Sequence, residues 1–173
     1  MNLIVTCARN LEAEAEEEIM DILDELGDPD VKISVSNMSG IITIQTKLDP
    51  IEVVRKMKEI LLDEPWSIRY CLRVIPIQKI VETNLEKIEE CISSISDKIE
   101  DNESYRILIE KRNSDISSKE IITNIANQIK NKVSLDFPDK IILIEILGIV
   151  TGISLIKKSD ILSLEKTKRS MSE

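Results

Sequence analysis

The sequence predicts an α+β protein made of two compact domains, and three observations support this prediction. A chain of 173 residues is long enough for two small domains that share one interface. The predicted core is aliphatic, because only one Trp, two Tyr and one Phe are present. Apolar residues recur at spacings of three and four in some segments and of two in others, so predicted helices and predicted strands are interspersed.

The chain begins with a predicted strand and a predicted helix. Leu3 to Ala8 is a short apolar run that is typical of a buried strand. Asn10 is placed to cap the following helix, whose apolar positions keep helical spacing as far as Leu26. Gly27 is placed to end that helix.

The next segments complete a predicted first domain. Residues 31–46 alternate apolar and polar side chains around a turn, which predicts a β-hairpin. Asp49 as N-cap and Pro50 in the first turn predict a second helix. An extended segment from near Ile68 supplies the last strand. The order βαββαβ is that of the ferredoxin-like arrangement, and we expect it to occupy residues 1–79.

The sequence predicts a second domain, of α/β type, that covers residues 80–173 and ends in a basic tail. An apolar stripe from Leu85 to Ile99, surrounded by acidic residues, predicts a helix. Arg106 to Glu110 follows as a strand. Ser117, with Glu120 three positions later, predicts the start of a helix whose inward positions extend to Val133. The last two predicted strands are Lys140 to Leu147 and Val150 to Ile156.

Charge is distributed unevenly along the chain. The whole sequence has 23 basic and 32 acidic residues, a net charge of −9 that argues against a polyanionic partner. Residues 105–173 nevertheless hold 12 basic and 9 acidic residues. The sequence therefore predicts that any nucleic-acid surface lies in the second half.

Residue types that support catalysis are scarce. The sequence has no histidine, and its four glycines form no phosphate-binding loop, so we expect no catalytic site and no cofactor. The carboxylates of Glu12 to Glu18 would spread around a helix, so a solvated face is favoured over a metal site. Arg9 beside Asn10 could suggest phosphate hydrolysis, but the glycine loop that this chemistry requires is missing.

The cysteines and the hydropathy pattern bear on location. Cys7, Cys71 and Cys91 lie far apart inside apolar runs, which is typical of reduced thiols. No apolar run approaches the roughly 18 residues of a membrane span. We therefore expect a cytoplasmic protein without a membrane partner.

The best candidate anion site lies between a strand end and a helix start. Lys111, Arg112 and Asn113 leave the strand beside the helix capped by Ser117, where free backbone N–H groups favour an anion. Both Lys111 and Arg112 are expected outside the core. The alternative is ordinary solvated surface, since no aromatic residue is nearby to stack bases. Further polar candidates follow along the chain: Lys119, Asn124, Lys130, Lys157, Lys158, Lys166, Lys168 and Arg169.

The segment from Tyr105 to Leu155 resembles the THUMP domain. The shared features are a strand ending in basic residues, a Ser-capped helix, two closing strands and a Val-x-Leu-x-x-Pro-Asp step, here Val133, Leu135, Pro138 and Asp139. The preceding RYCLRVIPI, which contains Arg73 and Pro76, resembles the segment that joins a ferredoxin-like domain to a THUMP domain.

This resemblance implies tRNA binding at the acceptor end. THUMP domains of thiouridine synthetases, methyltransferases and pseudouridine synthases hold tRNA for a separate catalytic domain. Without such a domain, the chain resembles the non-catalytic adaptor branch, whose partner acetyltransferase makes N4-acetylcytidine. Lys111, Arg112 and Ser117 match the family's basic strand end and helix start, whereas the C-terminal cations rest on charge alone. The alternatives are a ferredoxin-like regulatory module that binds a small molecule or protein, and the RNA-binding part of another tRNA-modification system.

Overall fold

The structure, a computed structural model, describes residues 1–172. Among these residues no helix is both long and apolar enough to span a membrane. In chain order the elements are β1 (Leu3–Thr6), α1 (Glu12–Glu25), β2 (Lys32–Val35), β3 (Ile41–Gln45), α2 (Pro50–Asp63), β4 (Arg73–Pro76), β5 (Lys79–Glu82), α3 (Leu85–Ser96), β6 (Tyr105–Arg112), α4 (Ser118–Gln128), β7 (Lys140–Leu147), β8 (Val150–Ile156), a 3-10 turn (Lys158–Asp160), β9 (Leu162–Ser163) and α5 (Leu164–Met171).

The chain divides into two compact units. The N-terminal unit contains Met1–Ile77 together with the chain from Ser159 onward, and the central unit is Gln78–Lys158. The N-terminal unit has a five-stranded antiparallel sheet of order β2-β3-β1-β4-β9. The apolar faces of α1 and α2 share one core with the sheet, in which Leu3 lies opposite Ile44 and Val5 opposite Ile42.

The C-terminal segment corrects the predicted domain boundary. Residues 80–173 were expected to form one domain with a basic tail, but β9 pairs with β4, where Val74 lies opposite Leu162. Leu162 is fully buried, and Leu164 joins the same N-terminal core. Burial of these two leucines fixes the end of the chain to the first sheet rather than to the second.

Two local predictions for the N-terminal unit are wrong at their boundaries. Asn10 does not cap α1: it has φ +68°, a left-handed conformation that Asn tolerates, and Leu11 takes the cap position without a side-chain bond. The last strand of the unit begins at Arg73 rather than near Ile68. The reason is that the backbone N–H groups of residues 69–71 donate to the Glu18 carboxylate and not to a neighbouring strand.

The central unit has a four-stranded sheet of order β5-β8-β7-β6. Only the β6–β7 pair is parallel. Isoleucines of α3, α4 and the strands form its core. The sequence did not predict β5, because Pro76 ends β4 and the chain passes directly into the second sheet. Helix α4 ends at Gln128, because Ile129 is extended. Ile129 still packs against the core as predicted, whereas Val133, also predicted to face inward, is half exposed.

Gly40 occupies a turn position that no other residue fits. Its φ is +75°, and an added Cβ would lie 2.6 Å from the carbonyl oxygen of Cys7. We expect Gly40→Ala to lower the free energy of unfolding by about 2–4 kcal/mol in urea denaturation, because backbone strain adds to a steric clash. Gly27→Ala is the control: with φ +110° and no atom within 4 Å it should cost about 1–2 kcal/mol, from strain alone. Equal losses for the two variants would contradict the clash.

Candidate nucleic-acid interface

The predicted anion site lies at one end of the central sheet. After β6 the chain turns at Asn113, which has φ +53°, and reaches Ser117. The Ser117 hydroxyl accepts a hydrogen bond from the backbone N–H of Glu120 at 3.2 Å, so the predicted N-cap is confirmed. The Lys111 ammonium donates to the carbonyl of Ile116 at 2.9 Å. This ammonium therefore lies at the turn that leads into α4.

Arg112 does not have the position that the sequence predicted. Its guanidinium lies 3.3 Å from a carboxylate oxygen of Glu145, whose side chain is fully buried in β7. The Arg112 side chain is 31% exposed. Arg112 therefore compensates a buried charge, and the expectation that it lies outside the core is wrong. The sequence signal for this pair was an acid inside the apolar run IILIEIL.

Acidic residues also lie at this end of the sheet. A cleft of about 260 Å³ is lined by Glu82, Thr83, Asn113, Ser114, Asp115, Gly148 and Ile149. Its carboxylates oppose anion binding next to Asn113. The cationic part of the end is therefore limited to the side of Lys111, Ser117 and the first turn of α4.

The candidates on α4 differ in their surroundings. Lys119, near the start of the helix, and Lys130, after its end, are exposed and have no ion pair or hydrogen-bond partner for their ammonium groups in the part of the chain that the structure describes. Asn124 instead donates to Glu89 of α3 at 2.6 Å. The Asn124 side chain is therefore occupied by a contact with the acidic helix α3. The ammonium groups of Lys119 and Lys130 are accessible to a ligand.

The C-terminal cations fall into two groups. Lys157 and Lys158 are exposed at the end of β8 in the central unit. Lys166, Lys168 and Arg169 belong to α5 of the N-terminal unit, and Arg169 lies 2.6 Å from Glu165. The candidates therefore do not form one set on one domain.

Charge is distributed differently between the two structural units than between the two halves of the sequence. The central unit holds 12 basic and 14 acidic residues, a net charge of −2, because it includes the acidic helix α3. The positive excess after residue 105 is thus a property of the sequence and not of a domain. Binding of a polyanion has to rest on local cations of the unit: Lys111 and Lys119 lie near the start of α4, and Lys130 lies beyond its other end.

The Pro-Asp step has a structural role. Asp139 accepts hydrogen bonds from the backbone N–H of Ser104 at 2.8 Å and from the Ser104 hydroxyl at 3.1 Å. The bond from the Ser104 N–H is the main cause that lowers the pKa of Asp139. Asp139 therefore ties the start of β6 to the start of β7, which holds the parallel pair in register.

The glutamates of α1 also contact the backbone. Glu12 accepts a hydrogen bond from the N–H of Gly40 at 2.7 Å, which lowers the pKa of that carboxyl. Among the described residues, no three His, Cys, Asp or Glu side chains are arranged to hold a metal ion.

One known family matches part of the central unit. Residues 82–156 match the family model of the THUMP domain, an RNA-binding domain of tRNA modification. This match confirms the resemblance over most of Gln78–Lys158. No match was found among curated proteins.

Solved structures with a similar fold are larger than this chain. PH1313 from Pyrococcus horikoshii is 20% identical with a TM-score of 0.60, over 91% of this chain and 55% of its own. TrmN from Thermus thermophilus is 14% identical with a TM-score of 0.60, over 88% and 44%. A possible methylase from Clostridium difficile is 19% identical with a TM-score of 0.53, over 90% and 40%. At these identities the likeness shows a shared fold, and this chain spans about half the length of those proteins.

Proposed function

We propose that this protein is a tRNA-binding adaptor that presents tRNA to a separate modifying enzyme. The match of residues 82–156 to the THUMP domain is the observation that carries the proposal. The open cations Lys119 and Lys130 supply phosphate contacts, and Lys111 adds a third at the start of α4. Among the described residues no aromatic side chain lies at the Lys111 and Lys119 end of the sheet, so recognition there rests on the shape and charge of the RNA backbone. Phe137, which is 87% exposed, lies in the segment that follows Lys130.

Binding of unmodified tRNA should depend steeply on salt. Each phosphate that a lysine neutralises adds roughly 0.7–0.9 to the log–log slope. Lys119→Glu with Lys130→Glu should weaken binding by about tenfold or more in a filter-binding assay, and should lower the slope by about 2. A matched double reversal of exposed lysines in the N-terminal unit, Lys32→Glu with Lys56→Glu, should change affinity by less than about twofold. A salt-independent affinity would contradict the proposal.

We further propose that the modifying enzyme is an acetyltransferase that forms N4-acetylcytidine. The support is the resemblance of the chain to the adaptor branch of the family. The test is a quantitative analysis of the modified nucleosides in tRNA from cells that lack this protein. We expect N4-acetylcytidine to disappear and the acetyltransferase to co-purify with the tagged full chain.

The same measurement tests the alternative that the chain is the RNA-binding part of another tRNA-modification system. A similar fold in a possible methylase from Clostridium difficile favours that alternative. If a methylated nucleoside were lost and N4-acetylcytidine were unchanged, the acetylation proposal would be wrong. The proposal that this protein binds tRNA would still stand.

We also infer that the N-terminal unit is ferredoxin-like. The strand order β2-β3-β1-β4, the antiparallel pairing of each neighbour and the shared core with α1 and α2 support this inference. An acidic groove of about 470 Å³ lies between α1 and the segment that follows α2, and Glu14, Glu18, Asp21 and Glu64 are among its lining residues. Its charge makes this groove unsuitable for RNA and compatible with a protein contact.

A further inference from the structure

The only tryptophan of the chain lies at the surface of the N-terminal unit. The Trp66 side chain is 65% exposed, although indole rings are usually buried in folded proteins. It lines a shallow depression with Pro65, Lys168, Met171 and Ser172. None of these five residues is acidic.

The turn that carries Trp66 is held on both sides. The backbone N–H and the hydroxyl of Ser67 both donate to the carbonyl of Glu64, at 2.9 and 2.7 Å. The next residue, Ile68, is fully buried in the core. The indole is therefore presented by a fixed turn and would lose little conformational entropy on binding.

Helix α5 supplies the cations beside the indole. Leu164 is buried in the N-terminal core and Met171 packs against it, which fixes the orientation of the helix. Lys168 lies in the depression with Trp66, and Lys166 is exposed in the first turn of the helix. An aromatic face next to a lysine is the combination that binds unpaired nucleotides, because the base stacks and the cation holds the adjacent phosphate.

We propose that Trp66 and Lys168 form a stacking platform for an unpaired base of the bound RNA. This inference rests on the proposed function for the identity of the ligand. It adds to the cations of the central unit a second contact, one that selects single-stranded over double-stranded RNA. Its cation, Lys168, lies on the segment that the sequence placed in a basic tail.

Fluorescence of the single tryptophan gives a direct test on the full chain. A single-stranded RNA of nine nucleotides, and tRNA with its unpaired 3′ end, should each quench Trp66 emission in a saturable way. Trp66→Ala should weaken binding of the nine-nucleotide RNA by about fivefold or more, and Trp66→Phe should recover part of the loss. Lys168→Ala should weaken binding and Lys56→Ala should not. A duplex of the same length should leave the emission unchanged.

The outcomes separate this inference from the proposed function. If tRNA binds in a filter assay while Trp66 emission stays constant and Trp66→Ala binds with normal affinity, stacking is wrong and tRNA binding stands. If the Lys119→Glu, Lys130→Glu variant loses tRNA but the nine-nucleotide RNA still quenches Trp66, both contacts are supported. If neither RNA binds, both proposals fail. If the co-purified enzyme shifted Trp66 emission to the blue and neither RNA changed it, Trp66 would belong to a protein-docking surface and the stacking proposal would be wrong.

Discussion

Arg112→Ala should lower the free energy of unfolding by about 3 kcal/mol. The Glu145 side chain is fully buried, and the change removes the cation 3.3 Å from its carboxylate. Breaking a buried ion pair costs about 3–5 kcal/mol, and the 31% exposure of Arg112 places the expected loss at the low end. Urea denaturation of the purified variant measures this loss.

A double-mutant cycle with Glu145→Gln isolates the pair. The neutral amide does not need the guanidinium, so Arg112→Ala should cost much less in the Glu145→Gln background than in the native one. Lys111→Ala is the neighbouring control and should cost less than about 0.5 kcal/mol, because its ammonium makes one exposed hydrogen bond. If Arg112→Ala were as stable as the native protein and bound tRNA weakly, Arg112 would be a ligand contact after all.

The Arg112–Glu145 ion pair also decides which variants can test the RNA interface. A combined Lys111→Ala, Arg112→Ala variant would remove a candidate phosphate contact and destabilise the central unit at once, so it does not test the interface alone. The Lys119→Glu, Lys130→Glu variant does, since both side chains are exposed and unpaired among the residues that the structure describes.

Short-range sequence signals predicted the starts and ends of several helices correctly. Asp49 caps α2 by accepting from the N–H groups of Ile51 and Glu52, and Ser117 caps α4. Gly27 ends α1 with a positive φ. Each of these features depends on hydrogen bonds or backbone conformations within one helical turn, which the sequence displays directly.

Contacts between distant segments were not predictable in the same way. The pairing of Val74 with Leu162 joins positions almost ninety residues apart, so nothing next to Leu162 indicates that it belongs to the first sheet. Likewise, the sequence around Arg112 is typical of a surface cation. Only the parallel register of β6 and β7 places Arg112 near Glu145. The predicted Ser117 cap was therefore confirmed, whereas the ion pair of Arg112 with Glu145 was not predicted.

Glu18 is a second residue whose role became visible only in the folded chain. It belongs to a glutamate-rich stretch that predicts a solvated face. Its carboxylate nevertheless accepts three backbone hydrogen bonds, from Arg69 at 2.8 Å, Tyr70 at 3.0 Å and Cys71 at 2.9 Å. These bonds hold the segment that follows the Trp66 turn, and they replace the strand pairing that the sequence predicted there.

Glu18→Ala should lower the free energy of unfolding by about 2–3 kcal/mol, because three N–H donors lose a charged acceptor. The free energy of unfolding of Glu18→Gln should lie between those of the native protein and Glu18→Ala. The amide oxygen of Gln can still accept from the N–H groups of Tyr70 and Cys71, whereas its NH₂ group faces the N–H of Arg69 and cannot accept from it. Glu17→Ala, an exposed neighbour on α1, is the control and should cost less than about 0.5 kcal/mol.

The same variant links the turn to the proposed platform. If Glu18 fixes the segment that supports Trp66, the Glu18→Ala protein, kept folded at low temperature, should show lower fluorescence anisotropy of Trp66. It should also show weaker quenching by the nine-nucleotide RNA, while the salt dependence that Lys119 and Lys130 give to tRNA binding stays in place. Unchanged anisotropy and quenching would mean that the Glu64–Ser67 turn presents the indole without help from α1.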